Sequence, residues 1–142
     1  MGYYVGSIEI ERSPIGDPLR WVLEQPITYC TDAQESITVC PGAATDGASV
    51  PRLLWRIAPP LDGKYLAAAL IHDQLYATHG VAGRFSRARC DEIFREGMVA
   101  AGVSPVKAWM MWSGVRIGGG RAWSGHADSD VGAQLQYIKV GM

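Results

Sequence analysis

The chain has 142 residues, a hydrophobic share of 48%, a charged share of 19% and a formal net charge of −1 at pH 7. That is the size of one ordinary domain, with no basic block or arginine-aromatic stripe of the kind that holds nucleic acid. No apolar run approaches the roughly 20 residues a membrane helix needs, so a transmembrane segment is excluded too.

The opening MGYYVGSIEIERSP has neither a basic leader nor a continuous apolar stretch. It therefore reads as protein made in the cytoplasm without a signal peptide. Residues 1–40 alternate in the manner of strands, through Val5, Ile8 and Ile10, then Trp21 and Leu23, then Ile37 and Val39. Turn residues at 14–18 and 31–32 punctuate them, which predicts a small antiparallel β-meander. Cys30, Cys40 and Cys90 cannot pair fully and form no C-x-x-C motif, so buried free thiols are expected. The segment 41–51, PGAATDGASVP, is rich in Gly and Ala with a proline at each end, and predicts an ordered loop.

Beyond it the period becomes helical. A short helix is expected over about 52–57, capped by Ser49 and ended by Pro59 and Pro60. Two longer helices follow, over about 63–78 and 86–101, the second with Ser86 as N-cap and Gly102 just past its end. A fourth covers about 104–117. Gly118, Gly119 and Gly120 suggest a hinge, and Leu135 to Val140 a last strand that pairs with the meander or with a neighbouring chain. The expected fold is α+β in one domain: a β-rich part (1–40), a loop (41–51), a helical part (52–117), and a glycine hinge with a tail (118–142).

One constellation in this frame has the makings of an active site. His72 and Tyr76 are four apart, and Asp73 and Tyr76 three apart, so the three crowd one side of the second helix. In the third helix Asp91 falls in the stripe of Ala88, Phe94, Met98 and Ala101, where an unpaired carboxylate would cost several kcal/mol. The short connection between the two helices makes them antiparallel neighbours, and His72 becomes the expected partner of Asp91. A carboxylate on one ring nitrogen orients the imidazole and leaves the other to deprotonate water. Asp73 could hold a hard cation with oxygens from the TDGASVP loop, calcium being the ion that tolerates such mixed ligation. The same residues would equally serve as a buried polar network that fixes helix register.

The run His72-Asp73-Gln74-Leu75-Tyr76, followed by Asp91, Phe94 and Met98, resembles the phospholipase A2 pattern of His-Asp-x-x-Tyr and a later Asp on an antiparallel helix. The resemblance implies His72 as base, Asp91 as its orienter, Tyr76 as supporting hydroxyl and Asp73 as calcium ligand. The upstream loop, where Thr45, Asp46, Gly47 and Ser49 are the candidate contributors, departs from that family's calcium loop. Over a longer span, TDGASVP, Trp55, Pro60, Ala68-Ala69, His72-Asp73, Leu75-Tyr76, Asp91 and Phe94 resemble a family of small phage and prophage proteins. That resemblance implies a phage setting, near tail or lysis functions. Together the two imply a calcium-dependent hydrolase of host-envelope lipid needing no organic cofactor, or a non-enzymatic protein of the virion or tail that docks on other phage proteins.

The remaining candidates have plainer readings. His79 and His126 are expected in solvated loops, Asp46 and Ser49 as loop-positioning groups, and Asp128-Ser129-Asp130 as a solvated turn. Trp109, Met110, Met111 and Trp112 read first as core, with a lipid or partner surface as the other use. No second His precedes His72 for a metal phosphohydrolase. A Cys-His peptidase lacks an electropositive setting for its thiol.

Overall fold

In a computed structural model, residues 2–6, 10–12, 21–45, 63–125 and 128–141 are described. They form an α+β fold, strands first and helices after, as the change of period predicts. The expected short helix at 52–57 and loop residues 46–51 lie outside the described residues.

The strands make two antiparallel sheets rather than one meander. In the first the order is β1 (Tyr3–Val5), β4 (Ile27–Cys30), β5 (Ser36–Val39), β7 (Ile138–Gly141). The second places β3 (Trp21–Leu23) between β2 (Ile10–Arg12) and β6 (Ala44–Thr45). The tail strand β7 therefore pairs inside the chain, on β5. Period-two alternation decides which way β4 and β5 face: Ile27, Tyr29, Ile37 and Val39 are buried, while Thr28 and Thr38 stand opposite each other on the other face, their hydroxyls 2.7 Å apart.

Helix α1 (Gly63–Ala77) packs on this sheet through Ala67, Leu70, Ile71 and Leu75. Through Tyr65, Ala68 and Ala69 it packs on α3 (Arg87–Ala100) and α4 (Pro105–Gly118). A helix with partners all round reads as apolar all round, and from Tyr65 to Ala77 only Asp73 is not buried. The flanking helices have the expected starts. Ser86 Oγ accepts from Arg89 N and Ser104 Oγ from Lys107 N, and Pro105 opens α4. Gly102, at φ 101°, closes α3 in the left-handed conformation that favours glycine. The sheet is fastened to α3 by Tyr29, whose hydroxyl donates to Glu96 at 2.8 Å, and by Tyr4, which donates to Gly97 O at 2.9 Å.

Two connections differ from expectation. Gly119 has helical angles (φ −84°, ψ −6°), so the glycine run leads α4 into the short α5 (Gly120–Ser124). A second short helix, α6 (Asp128–Gln134), then runs into β7 through a 3-10 turn at Leu135–Tyr137. Between α1 and α3 the chain makes one left-handed turn, α2 (His79–Gly83), with φ of 49° at His79, 69° at Gly80, 59° at Val81, 56° at Ala82 and 91° at Gly83. The Thr78 hydroxyl anchors it, donating to Gln74 O at 2.7 Å and accepting from Val81 N at 3.1 Å. At Gly80 a Cβ would lie 1.9 Å from Phe85 O, so no other residue fits.

Left-handed backbone costs an L-residue about 1–2 kcal/mol. Ala82 is exposed and strained, so Ala82→Gly should raise stability by about 1 kcal/mol, against the usual direction for this change. Gly80→Ala should lower it by more than Gly83→Ala, since an added Cβ at Gly83 meets nothing within 4 Å. Urea unfolding of the three variants checks the order; a destabilised Ala82→Gly would contradict the turn.

Candidate functional site

Helices α1 and α3 run antiparallel, with Tyr76 beside Arg87 and His72 beside Asp91. Both His72 and Asp91 have no exposed surface. His72 Nε2 lies 2.7 Å from Asp91 Oδ1, and the Tyr76 hydroxyl donates to the same oxygen at 2.6 Å. The other oxygen, Oδ2, takes a 2.8 Å bond from Arg116 Nη1 near the end of α4. Phe94 stacks on the imidazole with centroids 4.6 Å apart. The three residues expected to meet do meet.

Two members of the network were not anticipated. Arg87 donates from Nε to the Tyr76 hydroxyl at 3.2 Å, and from Nη2 to Val115 O at 2.8 Å and Arg116 O at 3.0 Å. It thus holds the carbonyl end of α4, where a cation is favoured, and sets the height from which Arg116 reaches Asp91. Arg87 sits four residues before Asp91, a spacing that puts both on one side of α3 and could have flagged it. Arg116 has no such local signal, because only the packing of α4 brings it in. Trp123 of α5 meets the Tyr76 ring edge-on at 5.2 Å, and its carbonyl lies 2.8 Å from His79 Nε2. His79, expected in a solvated loop, is half-buried and bonded.

The electrostatics follow from these contacts. Burial opposes the charge on Asp91, but the bonds from His72, Tyr76 and Arg116 outweigh it and hold the carboxyl below its ordinary range. An ionised carboxylate only accepts, so the neutral imidazole carries its proton on Nε2 and Nδ1 is its basic nitrogen. Burial lowers His72 below the usual imidazole value; the bond to Asp91 acts the other way without prevailing, and the Arg87 charge adds to the lowering. Burial and the bond to Asp91 raise the Tyr76 hydroxyl, which stays a donor.

Other sequence candidates fall away from this cluster or outside view. Asp73 is half-buried beside it. Among the described residues no group of three or more His, Cys, Asp and Glu is placed to hold a metal ion, so Asp73 does not by itself make a calcium site. Thr45 belongs to β6, a strand that lies against α1, whereas Asp46, Gly47, Ser49 and His126 lie outside the described residues. The expectation of buried thiols holds for Cys90 alone, Cys30 and Cys40 being half-buried. Burial and the neighbouring Asp91 push the Cys90 thiol up to about 12, which removes it as a nucleophile. A surface hollow lined by Asp32, Glu35, Arg89, Glu92 and Glu96 shares no residue with the network. No described helix is long and apolar enough to cross a membrane.

The lowered His72 value has a sign. As pH falls below about 6.5 the unfolded chain takes up the proton first, so folding stability declines toward the folded-state value, by at most about 1.4 kcal/mol per pH unit. The Asp91 contribution is present above about pH 4 and lost as pH falls through its own lower value. His72→Gln should therefore flatten the upper part of the curve and leave the acid limb. Urea midpoints between pH 3 and 8 test this, and an unchanged upper slope in the variant would refute it.

Neither the curated proteins nor the solved structures contain a match to this chain. A protein family does match, over residues 21–115, a span that holds every residue of the network except Arg116 and Trp123. The chain belongs to that family, DUF1353, described as proteins of unknown function.

Proposed function

We propose that the chain is a hydrolase in which His72 is the general base and Asp91 its orienter. The observation that carries this is the 2.7 Å bond from His72 Nε2 to an ionised, three-fold bonded Asp91, which fixes the tautomer and the orientation of the imidazole. Water would give a proton to Nδ1 as its oxygen bonds to an ester carbonyl carbon. The imidazolium would then return that proton to the departing alkoxide as the carbon–oxygen bond breaks. Tyr76 supports Asp91 throughout as a donor.

The substrate class we propose is the phospholipid ester of a host envelope. It rests on the phospholipase A2-like pattern His72-Asp73-x-x-Tyr76 and Asp91, and the phage setting rests on the longer TDGASVP to Phe94 pattern. Calcium is the metal this reading would call on, at Asp73. The described residues offer no complete set of ligands for it.

The burial of His72 and Asp91 favours a second reading, a non-enzymatic virion or tail-associated protein in which the network holds three helices in register. Under the first reading the site must open to admit water and ester; under the second it stays closed.

Fatty acid released from mixed phospholipid vesicles separates the two, wild type beside His72→Gln. The hydrolase predicts release that falls by a factor of about 10² to 10⁴ in a variant that still folds. No release by the wild type across a calcium titration, with destabilisation of His72→Gln, would establish the structural reading. Asp91→Asn is the weaker probe, because it removes a charge that His72, Tyr76 and Arg116 all meet and so lowers stability under either reading. Calcium-dependent stabilisation lost in Asp73→Asn would add the metal.

A further inference from the structure

Helix α4 has two unlike faces. Ala108, Met111 and Val115 are buried in the cluster with α1 and α3, so the core reading of this helix holds for Met111 but not for Trp109 and Met110, which are exposed. On the outside Val106 is 69% exposed, Trp109 52% and Ile117 88%, with Met110 exposed between them. At 3.6 residues per turn, positions 106, 109, 110, 113 and 117 form one stripe, so these four apolar side chains line one side of the helix, with Ser113 between Met110 and Ile117. Single exposed apolar residues are ordinary; an aligned set including a tryptophan marks a surface that meets something.

The charge around the ridge says what. From Gly97 to Ala127 the chain carries Lys107, Arg116 and Arg121 and no Asp or Glu. Lys107 and Arg121 are exposed; Arg95 of α3, also exposed, lies over the Trp112 ring at 5.6 Å, with the exposed Glu92 one turn before it. A second copy packed on this ridge across a two-fold axis would bring Lys107 and Arg121 toward the same cations, an arrangement that repels. An anionic surface matches it. A helix with a tryptophan-bearing apolar face and cationic flanks is suited to lie in the plane of a lipid headgroup layer.

We infer that α4 docks the protein on an anionic lipid surface, with Val106, Trp109, Met110 and Ile117 entering the headgroup layer and Lys107, Arg121 and Arg95 meeting lipid phosphates. This deepens the proposed function by naming how the chain meets its lipid. It rests on that reading only for the use of the lipid, because docking is measured without turnover.

The test is flotation of the full chain with vesicles of phosphatidylethanolamine and phosphatidylglycerol, against vesicles of phosphatidylcholine alone. The wild type should float with the anionic vesicles only, and less so at high salt. Trp109→Ser with Ile117→Ser should lower partitioning at least tenfold, and Lys107→Glu by about fivefold or more. All three sites are exposed, so melting temperatures should hold. No flotation, equal binding to both vesicles, or a dimer in sedimentation that the double variant dissolves would each overturn the inference. Flotation without fatty-acid release would keep the docking and sink the hydrolase, and release without flotation the reverse.

Discussion

The Asp91 carboxylate is the constraint on which the helical half depends. A charge with no exposed surface is tolerable only if its lone pairs are met by donors in good geometry. Here the donors come from α1 (His72 and Tyr76) and α4 (Arg116), while Asp91 itself belongs to α3. One carboxylate, with the Arg87 guanidinium beside it, therefore couples three helices whose packing is largely apolar, and apolar contacts tolerate sliding better than hydrogen bonds do. A slip of α4 by one turn would carry Arg116 about 5.4 Å from Asp91. Arg87 opposes that slip by gripping the last carbonyls of α4.

The same network sets the state of His72. Were Asp91 its sole charged neighbour, the imidazole would be drawn toward the protonated form. Burial, the largest effect, disfavours imidazolium and outweighs Asp91, and Arg87 adds a positive field. The folded protein thus holds a neutral histidine with a defined tautomer, which a general base requires and which a purely architectural network also tolerates. What distinguishes the two uses is access to Nδ1, since proton transfer needs water within hydrogen-bond reach.

The sequence was most legible where local rules and tertiary packing agree. Ser86, Ser104 and Gly102 bound α3 and α4 because caps act within a turn. The pairing of His72 with Asp91 followed from two helical stripes and a short connection. Strand partners are set at long range, so the alternation of Ile10 and Leu23 could not reveal that β2 and β3 leave β4 and β5 for a separate sheet. Arg116 stayed hidden for a related reason, being 25 residues from Asp91 with no periodic relation to it. The left-handed turn at Val81 and Ala82 runs against the preference of both residues, and the Thr78 anchor together with the fit of Gly80 under the Phe85 carbonyl holds it.

Helix α4 joins the interior to the surface within two residues. Arg116 points inward to Asp91, and Ile117, the next residue, is 88% exposed. Trp123, just beyond in α5, lies against both Tyr76 and His79, so the strained turn also borders this end of the helix. A force on the outer ridge of α4 would act on the Arg116 bond through a single peptide unit, and through it on the state of His72. Under the proposed docking, lipid contact on the ridge would act on the Asp91 network through α4 itself, with no element beyond those already bound to Asp91.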